Sequence, residues 1–225
     1  MKAFRYCARM LLVPLMVLGA GCSGFLHSTA KAEQTYFLRA TATPAVAGTP
    51  VPAALRVGSP GANPGLDTSH IVLVQPDHRM GFYAGSRWPA AAPALVEAMA
   101  VQTLRASGNW AAVQDAGSPF PTDFLLQITL RRFEADYTGG AAAPEVHVVL
   151  DGVLGRHDAS DVVGTFEVAG TATAAANRMG DVVSAFEQAT NEALAALAQQ
   201  TLSVVRASQD PAPQKPVNPV PSSSR

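Results

Sequence analysis

The sequence predicts an α+β protein, with a mostly antiparallel sheet and two amphipathic helices packed on it. Three successive segments in the second half of the chain alternate apolar and polar residues, which is typical of strands with one buried face. Turn residues separate these segments, as in an antiparallel meander. Two other segments repeat apolar residues at helical spacing. This order of elements, strands then helix then strands then helix, is that of an α+β domain.

The first third of the chain holds shorter elements. Thr35 to Thr41 read TYFLRAT, a run of β-favouring residues that predicts a first strand. Residues 42–67 are rich in Pro, Gly and Ala and predict mostly loop, with a short strand at Ala54 to Val57. The run SHIVLVQP, from Ser69 to Pro76, is continuously apolar between its ends and therefore predicts a buried central strand.

A first helix is predicted after Ser86, because serine caps helix N-termini and Pro89 would fall near the first turn, where its missing N–H is harmless. Gly108 is predicted to end the helix. A short strand is predicted at Ala111 to Gln114. The residues at helical spacing are Leu95, Val96, Met99, Thr103 and Leu104.

The three alternating segments read DFLLQITLRRFEADY, EVHVVLDGVL and DVVGTFEVAGTAT. In the first, Phe124, Leu126 and Ile128 alternate with polar residues, and in the last Phe166 and Val168 do so. The turns between them are predicted at Gly139-Gly140 and at Arg156 to Ser160.

A long amphipathic helix is predicted next, with Asp181 as its N-cap. The chain after Ser208 consists mainly of Pro, Gln, Lys and Ser and is predicted to be disordered. One apolar stripe defines the helix, formed by Val182, Phe186, Ala189, Ala193, Leu197 and Val204.

The N-terminus has the features of a lipoprotein signal peptide. Lys2, Arg5 and Arg9 form a positive start, and Met10 to Ala20 form an apolar core that is too short to span a bilayer. Small residues precede Cys22, the residue at which such a precursor is cut and acylated. We therefore predict a signal peptide at 1–21, an acylated Cys22 with a tether to residue 35, a domain at 36–207 and a tail at 208–225.

One detail departs from the usual lipoprotein pattern, because Gly19 stands where leucine is common and Leu18 lies one place earlier. The alternative is cleavage after Ala32 in Ala30-Lys31-Ala32, which would release a soluble chain beginning at Glu33. That site lies far from the apolar core, so lipidation is favoured. A structural cysteine in a retained N-terminal helix is a further alternative.

Charge and cysteine content narrow the function classes. The formal charge is −1, and loss of three positive residues with the signal would leave −4, which argues against nucleic-acid binding. The two cysteines are Cys7, in the signal, and Cys22, so the mature domain is predicted to have no disulfide and to depend on packing. Membrane association would then run through the lipid on Cys22.

Patterns of catalytic residues do not point to an enzyme. The sequence has no GxSxG, Walker loop, GxGxxG after a strand, HExxH or CxxC, and we predict no cofactor and no metal. The stretch GRHDASD groups Arg156, His157, Asp158 and Asp161, which are metal-ligand types, but polar residues between two strands usually form a hairpin turn. His147 is predicted to be a half-exposed strand residue.

The stretch RMGFYAGSRWPA is the densest group of aromatic and arginine residues. Tyr83, Arg87 and Trp88 are therefore candidate partner contacts, since Tyr, Trp and Arg dominate protein interfaces. The alternative is that Trp88 fills the core at the start of the first helix, with Tyr83 packed beside it, and for Trp88 this alternative is slightly favoured.

These features together resemble the ABC-type transport auxiliary lipoproteins, the PqiC-like family. The resemblance covers roughly Tyr36 to Arg206 and rests on YFLR after the cysteine, then HIVLVQP, FYAGSRWPAAAPALVEAM and the closing helix VSAFEQATNEALAALAQQ. It implies a non-enzymatic lipoprotein, anchored in the outer membrane of a Gram-negative cell and facing the periplasm. It also implies two partners, an MCE-domain substrate-binding protein and an inner-membrane ABC transporter that moves phospholipids or related lipids.

The resemblance further implies a homo-oligomeric ring that receives the tip of an MCE tunnel. Two alternatives stay open at this point: a stand-alone periplasmic lipid carrier, which needs a deep apolar pocket, and a structural or assembly lipoprotein of the envelope.

Overall fold

The computed structural model describes residues 32–41, 49–156 and 161–209. Within these ranges the chain forms nine strands in one sheet and two helices. The strands are β1 (Gln34–Thr35), β2 (Val51–Val57), β3 (Gly61–Ala62), β4 (His70–Val74), β5 (Met80–Arg87), β6 (Trp110–Gln114), β7 (Phe124–Asp136), β8 (Glu145–Arg156) and β9 (Val162–Thr173). The helices are α1 (Ala92–Ala106) and α2 (Met179–Gln209).

The sheet is organised around the 13-residue strand β7. Along one edge of β7, the short strands β2, β3 and β4 pair with it one after another in parallel. Along the other edge, β8 and then β9 continue the sheet as an antiparallel meander. The hairpin of β4 and β5 and the parallel pairs β2–β6 and β1–β5 complete the sheet. The architecture is thus α+β, and the predicted class is confirmed.

Both helices cover the same face of the sheet. Helix α2 packs on β8 and β9, and α1 packs on β2, β6 and α2. Along the strands, buried residues alternate with exposed ones. On the covered face Leu130 pairs with Leu150 and Phe133 with Val148. On the opposite, uncovered face the same strands carry charged and polar residues. This alternation is what the period-two pattern predicted.

Helix α2 approaches β9 more closely than side chains normally permit. A Cβ placed on Gly170 would lie 2.0 Å from the carbonyl oxygen of Ala189 and 2.8 Å from the backbone nitrogen of Ala193. Farther along, a Cβ on Gly164 would lie 2.7 Å from a methyl of Val204. Glycine in the strand and alanine in the helix therefore set the distance between these two elements.

The pairing gives the sheet two distinct ends. We call the end at which β7 finishes, at Asp136, the hairpin end, because the β4–β5 turn lies level with it through the pair of Val74 with Asp136. The far end is the one at which β7 begins, at Phe124. Helix α2 starts at the hairpin end, since Gly170 meets Ala189, and it finishes at the far end, where Gln209 lies near Phe124. Its 31 residues span about 46 Å.

Several predicted elements are confirmed: the buried strand β4, the short strand β6, the meander β7–β9 and both helices. The predicted end of the first helix is also confirmed, because Ser107 forms its C-cap and Gly108 follows with a φ of 64°. The short strand predicted at Ala54 to Val57 is present but starts earlier, at Val51.

The predicted first strand is wrong over most of its length. Only Gln34–Thr35 pair as a strand, and residues 36–41 belong to no strand, because Arg39 and Thr41 instead donate their backbone N–H groups to side chains of α2. Strand β5 was not predicted, and the predicted N-cap Ser86 lies inside it. The first helix instead begins after Ala91, with proline at one of its first two positions.

The second predicted N-cap is also wrong. Asp181 lies within the first turn of α2, which begins at Met179, and its carboxylate accepts a hydrogen bond from Arg178 at 2.9 Å. Carboxylates are favourable there because of the helix dipole. Among the described residues, no helix is long and apolar enough to cross a membrane. Cys22, the signal peptide, most of the tether and the tail after Gln209 lie outside the described residues.

Candidate functional site

The stretch YAGSRW forms a three-residue bulge in β5. Val72 pairs with Phe82, whereas His70 pairs with Arg87, so β5 contains three more residues than β4 over the same distance. Gly85 lies in this bulge with a φ of 64°, a conformation that favours glycine. The bulge redirects the chain, so that the residues on either side of it reach different surroundings.

Trp88 lies in the core. Its side chain is fully buried, and its ring makes an edge contact with Phe186 at 5.2 Å and a tilted contact with Phe133 at 6.0 Å. The backbone nitrogen of Trp88 also donates to the carbonyl of Ser69 at 2.7 Å. The candidate partner-contact role of Trp88 is therefore wrong, because a fully buried ring has no surface to offer, and the core alternative holds.

Tyr83 is half-buried and its hydroxyl is part of a polar chain. The hydroxyl lies 2.8 Å from that of Tyr137, which in turn donates to the side chain of Asn177 at 2.7 Å. Burial raises the pKa of Tyr83, and the hydrogen bond with Tyr137 raises it further, so the phenol stays neutral. The hydroxyl joins β5 to the end of β7, and only the exposed part of the ring is free for a partner.

Arg87 holds the chain where it enters the domain. Its guanidinium donates to the hydroxyl of Ser69 at 2.9 Å and pairs with Glu33 at 3.3 Å. Its backbone pairs with Thr35 in β1, and its carbonyl accepts from Tyr36 at 2.9 Å. Arg87 thus connects the last residues of the predicted tether to β5. The side chain is 43% exposed, so part of the guanidinium also reaches solvent.

A strap formed by residues 36–41 continues from β1 onto α2. The backbone nitrogen of Arg39 donates to Glu187 at 2.9 Å, and that of Thr41 donates to Asn191 at 2.7 Å. Asn191 donates in return to the carbonyl of Arg39 at 2.9 Å. Sequence reasoning missed this contact. Its signal was the polar pair Glu187 and Asn191, four residues apart on one helix face.

The uncovered face of the sheet carries a charged network near the hairpin end. Arg132 pairs with Glu134, which is almost fully buried, and with Asp136 at 3.0 Å. His147 lies 3.4 Å from Glu145 and 3.9 Å from Asp136. Burial raises the pKa of the Asp136 carboxyl, but hydrogen bonds from Thr138 and Arg132 outweigh burial and hold it below its usual value. The network lies directly beside the irregularity of β7 at Arg131.

This network has no metal-binding geometry. Over the described ranges, no group of three or more His, Cys, Asp or Glu side chains is arranged to hold an ion. Of the stretch GRHDASD, His157 and Asp158 lie outside the described residues. Arg156, the last residue of β8, donates its backbone N–H to the carbonyl of Asp161 at 2.9 Å, one residue before the antiparallel strand β9 begins.

An open cleft of about 400 Å³ lies on the uncovered face at the far end. Its apolar walls come from Leu125, Val153 and the exposed Val162, and Gln127 and Asp161 add polar atoms.

Comparisons with known proteins agree with this architecture. The sequence model of the family described as ABC-type transport auxiliary lipoprotein component matches residues 36–200, well over half of the chain. A comparison with curated proteins gave no match.

Solved structures similar to this chain include a protein from Xanthomonas campestris. It is 26% identical, with a TM-score of 0.73, over 79% of this chain and 99% of that one. An uncharacterised protein has a TM-score of 0.56 at 14% identity, over 80% of this chain and all of its own. PelC from Paraburkholderia phytofirmans, solved as a dodecamer, is 20% identical with a TM-score of 0.40, over 70% of this chain and 95% of its own.

Proposed function

The chain belongs to the family of ABC-type transport auxiliary lipoprotein components, and from that premise we propose its specific role. We propose that it is an outer-membrane lipoprotein, anchored through Cys22 and facing the periplasm, that serves an MCE-type system moving phospholipids or related lipids. The observation that carries this proposal is the family match over residues 36–200, which lies entirely inside the domain predicted at 36–207.

In this role the chain acts as an adaptor rather than a catalyst. ATP hydrolysis belongs to another subunit, the inner-membrane ABC transporter, so this chain needs no nucleotide site. Its own residues provide an anchor, a tether and a folded body that meets the MCE-domain protein. The body is suited to this task because its two helices and the covered face of the sheet form a continuous core.

The connection between anchor and body supports the same proposal. The end of the tether and the strap that follows it are held at three successive places: Glu33 on Arg87, β1 on β5, and the strap on Glu187 and Asn191 of α2. An adaptor requires such a connection, because an anchor joined to the body only by a loose chain would leave the body free to rotate.

For the partner surface, Tyr83 and Arg87 remain our candidate contacts, now without Trp88. Both keep some exposed surface beside the β5 bulge. Truncation of a true contact would weaken binding to the MCE-domain protein by about 2 kcal/mol or more. A homo-oligomeric ring around the tunnel tip is part of the proposal and would place several copies of this contact around one partner.

Copurification from the native cells tests the proposal. The protein would carry a C-terminal tag, be extracted in mild detergent and be analysed for every protein and lipid that accompanies it. We expect an MCE-domain protein and an ABC-type ATPase in the eluate, and we expect both to be lost from a Cys22→Ala variant. The intact mass of the same sample shows whether the chain begins at an acylated Cys22 or at Glu33.

Three outcomes would contradict the proposal. A monomer that carries lipid and no protein would favour the stand-alone carrier. Partners unrelated to any transporter would favour a structural or assembly lipoprotein. A chain that begins at Glu33 without acyl groups would remove the anchor on which the adaptor depends.

A further inference from the structure

The β4–β5 hairpin presents two apolar side chains to solvent. Met80 is 48% exposed and Phe82 is 49% exposed, two residues apart on the uncovered face of the sheet. The ring of His70 lies against Phe82, with centroids 5.1 Å apart. Exposed apolar residues are common when they are scattered. Met80 and Phe82 differ from scattered apolar residues because they lie at the end of the sheet toward which the N-terminal end of β1 points.

The N-terminal end of β1 points toward the same end of the sheet as Met80 and Phe82. Strand β1 is parallel to β5, with Gln34 paired to Ser86 and Thr35 to Arg87. The N-terminal end of β1 therefore points along β5 toward Phe82. Because β5 is antiparallel to β4, and β4 is parallel to β7, this direction leads to the hairpin end. Within the described residues, β1 therefore runs along β5 in the direction that leads away from the hairpin end.

Covalent reach allows the hairpin end to touch the bilayer. Eleven residues separate Cys22 from Glu33, and at most about 3.6 Å per residue gives a reach of about 40 Å. Phe82 precedes Ser86 by four residues, and because three residues of this part of β5 are taken up by the bulge, the two lie less than about 13 Å apart along the strand. A lipid attached at Cys22 thus enters the bilayer within reach of Met80 and Phe82.

We propose that Met80 and Phe82 insert into the interfacial layer of the bilayer that carries the anchor. This proposal rests on acylation of Cys22. The hairpin end then faces the membrane, and the far end, with the C-terminus of α2, faces away from it. Phenylalanine and methionine suit this layer because burying their side chains removes apolar surface from water.

Charges near the hairpin indicate that the contact is apolar rather than electrostatic. Arg79 is ion-paired with Asp77 at 2.6 Å, and Arg87 is ion-paired with Glu33. Two neutralised arginines provide no excess of positive charge for anionic headgroups. We therefore expect insertion into zwitterionic phosphatidylcholine bilayers, and we expect it to persist at high salt, where surface ion pairs are screened.

The experiment compares two exposed alanines at opposite ends of the sheet. Ala84 lies in the β5 bulge beside Phe82, whereas Ala112 in β6 pairs with Ala54 near the far end. The acylated mature chain has no free thiol, because Cys7 leaves with the signal and Cys22 carries lipid. Ala84→Cys and Ala112→Cys would each carry one nitroxide label on the full acylated protein in phosphatidylcholine vesicles. Collision with oxygen, which enters the bilayer, and with a water-soluble nickel chelate would then report the depth of each label.

We expect the label at Ala84 to lose nickel collisions on reconstitution and to gain oxygen collisions, while the label at Ala112 stays accessible to nickel. Equal access of nickel to both labels, or protection of Ala112 alone, would overturn the proposal. The intact mass separates this failure from failure of the proposed function. A chain without acyl groups contradicts the anchor, whereas an acylated chain with an accessible Ala84 contradicts only the insertion.

A paired variant tests the two side chains themselves. Met80→Ser with Phe82→Ser, in the labelled Ala84→Cys background, should restore nickel collisions to the level of the unreconstituted protein. Phe120→Ser is the matched control, because Phe120 is 64% exposed but lies four residues before β7 begins at the far end. If the paired variant leaves Ala84 protected, or if Phe120→Ser exposes it, insertion through Met80 and Phe82 is wrong.

Discussion

The two faces of the sheet are built from the same strands but are stabilised by different means. On the covered face, large aromatic rings and closely approaching glycine and alanine backbones fill the space beneath the helices. On the uncovered face, charged side chains pair with one another and remain partly in water. We infer that the stability of the domain comes mainly from the covered face, and that the uncovered face tolerates change and is available for contacts. Four experiments test this contrast.

The largest effect is expected from Trp88→Ala. The ring is fully buried against Phe133 and Phe186, so truncation leaves a cavity and should lower the free energy of unfolding by about 3–5 kcal/mol. Urea denaturation would measure this loss, with Phe120→Ala as an exposed control that should change stability by less than about 0.5 kcal/mol. Similar losses for the two variants would contradict the placement of Trp88 in the core.

A smaller but still large effect is expected from Gly170→Ala. The added methyl meets backbone atoms of Ala189 and Ala193, which cannot rotate away, so α2 must move off β9 at a cost of about 1–3 kcal/mol or more. Gly139→Ala is the control, because a Cβ there would meet open space. The melting temperatures of both variants would check the prediction. A Gly170→Ala protein as stable as the original would show that α2 and β9 are farther apart than the structure places them.

On the uncovered face, Asp136→Asn should cost about 1.5 kcal/mol at neutral pH, the lower end of the range for a hydrogen bond to a charged group. The folded protein holds the pKa of Asp136 below its ordinary 3.8, so its contribution is present above that pH and is lost as the pH falls through the folded value. The stability difference between the original protein and the variant should therefore shrink below about pH 4. Asp77→Asn, at an exposed ion pair, is the control at neutral pH and should cost less than about 1 kcal/mol. A difference that stays constant to low pH would assign the loss to packing.

The smallest effect on global stability is expected from Asn191→Ala, which removes two hydrogen bonds between α2 and the strap. We expect a loss of less than about 1 kcal/mol, together with faster amide exchange at Arg39 and Thr41, because the strap opens locally without unfolding the core. Ser184→Ala, on the same helix but away from the strap, should leave this exchange unchanged. Unchanged exchange in Asn191→Ala would mean that Glu187 holds the strap alone.

The contrast between the faces also explains what the sequence could predict. The strands β7, β8 and β9 were predictable because one face is covered and the other wet, which forces strict alternation, and α2 was predictable from its apolar stripe. Strand β5 was missed because the bulge at Gly85 interrupts its alternation and because Met80 and Phe82 are apolar yet exposed.

The errors near the chain entry have a different cause. Tyr36 to Thr41 have strand-like residues, but Glu187 and Asn191, about 150 residues away in sequence, satisfy their backbone in place of a neighbouring strand. Local sequence does not encode such a distant partner. The N-caps were misplaced because serine and aspartate are not confined to that position: Ser86 lies within β5, and Asp181 lies in the first turn of α2. Of the three candidate contact residues, Trp88 is fully buried whereas Tyr83 and Arg87 are partly exposed, and the sequence alone did not reveal this difference.

The parallel pairing of β1 with β5 has a mechanical consequence. A pull on the anchor would act along the axis of β1, and the hydrogen bonds that join it to β5 lie across that axis. Such loading shears the bonds together instead of unzipping them one at a time. Between Glu33 and the strap, the load is also shared with the ion pair to Arg87 and with the side chains of α2. If the chain is anchored at Cys22 as proposed, the domain would thus resist tension along the tether more strongly than its two-residue strand β1 alone would suggest.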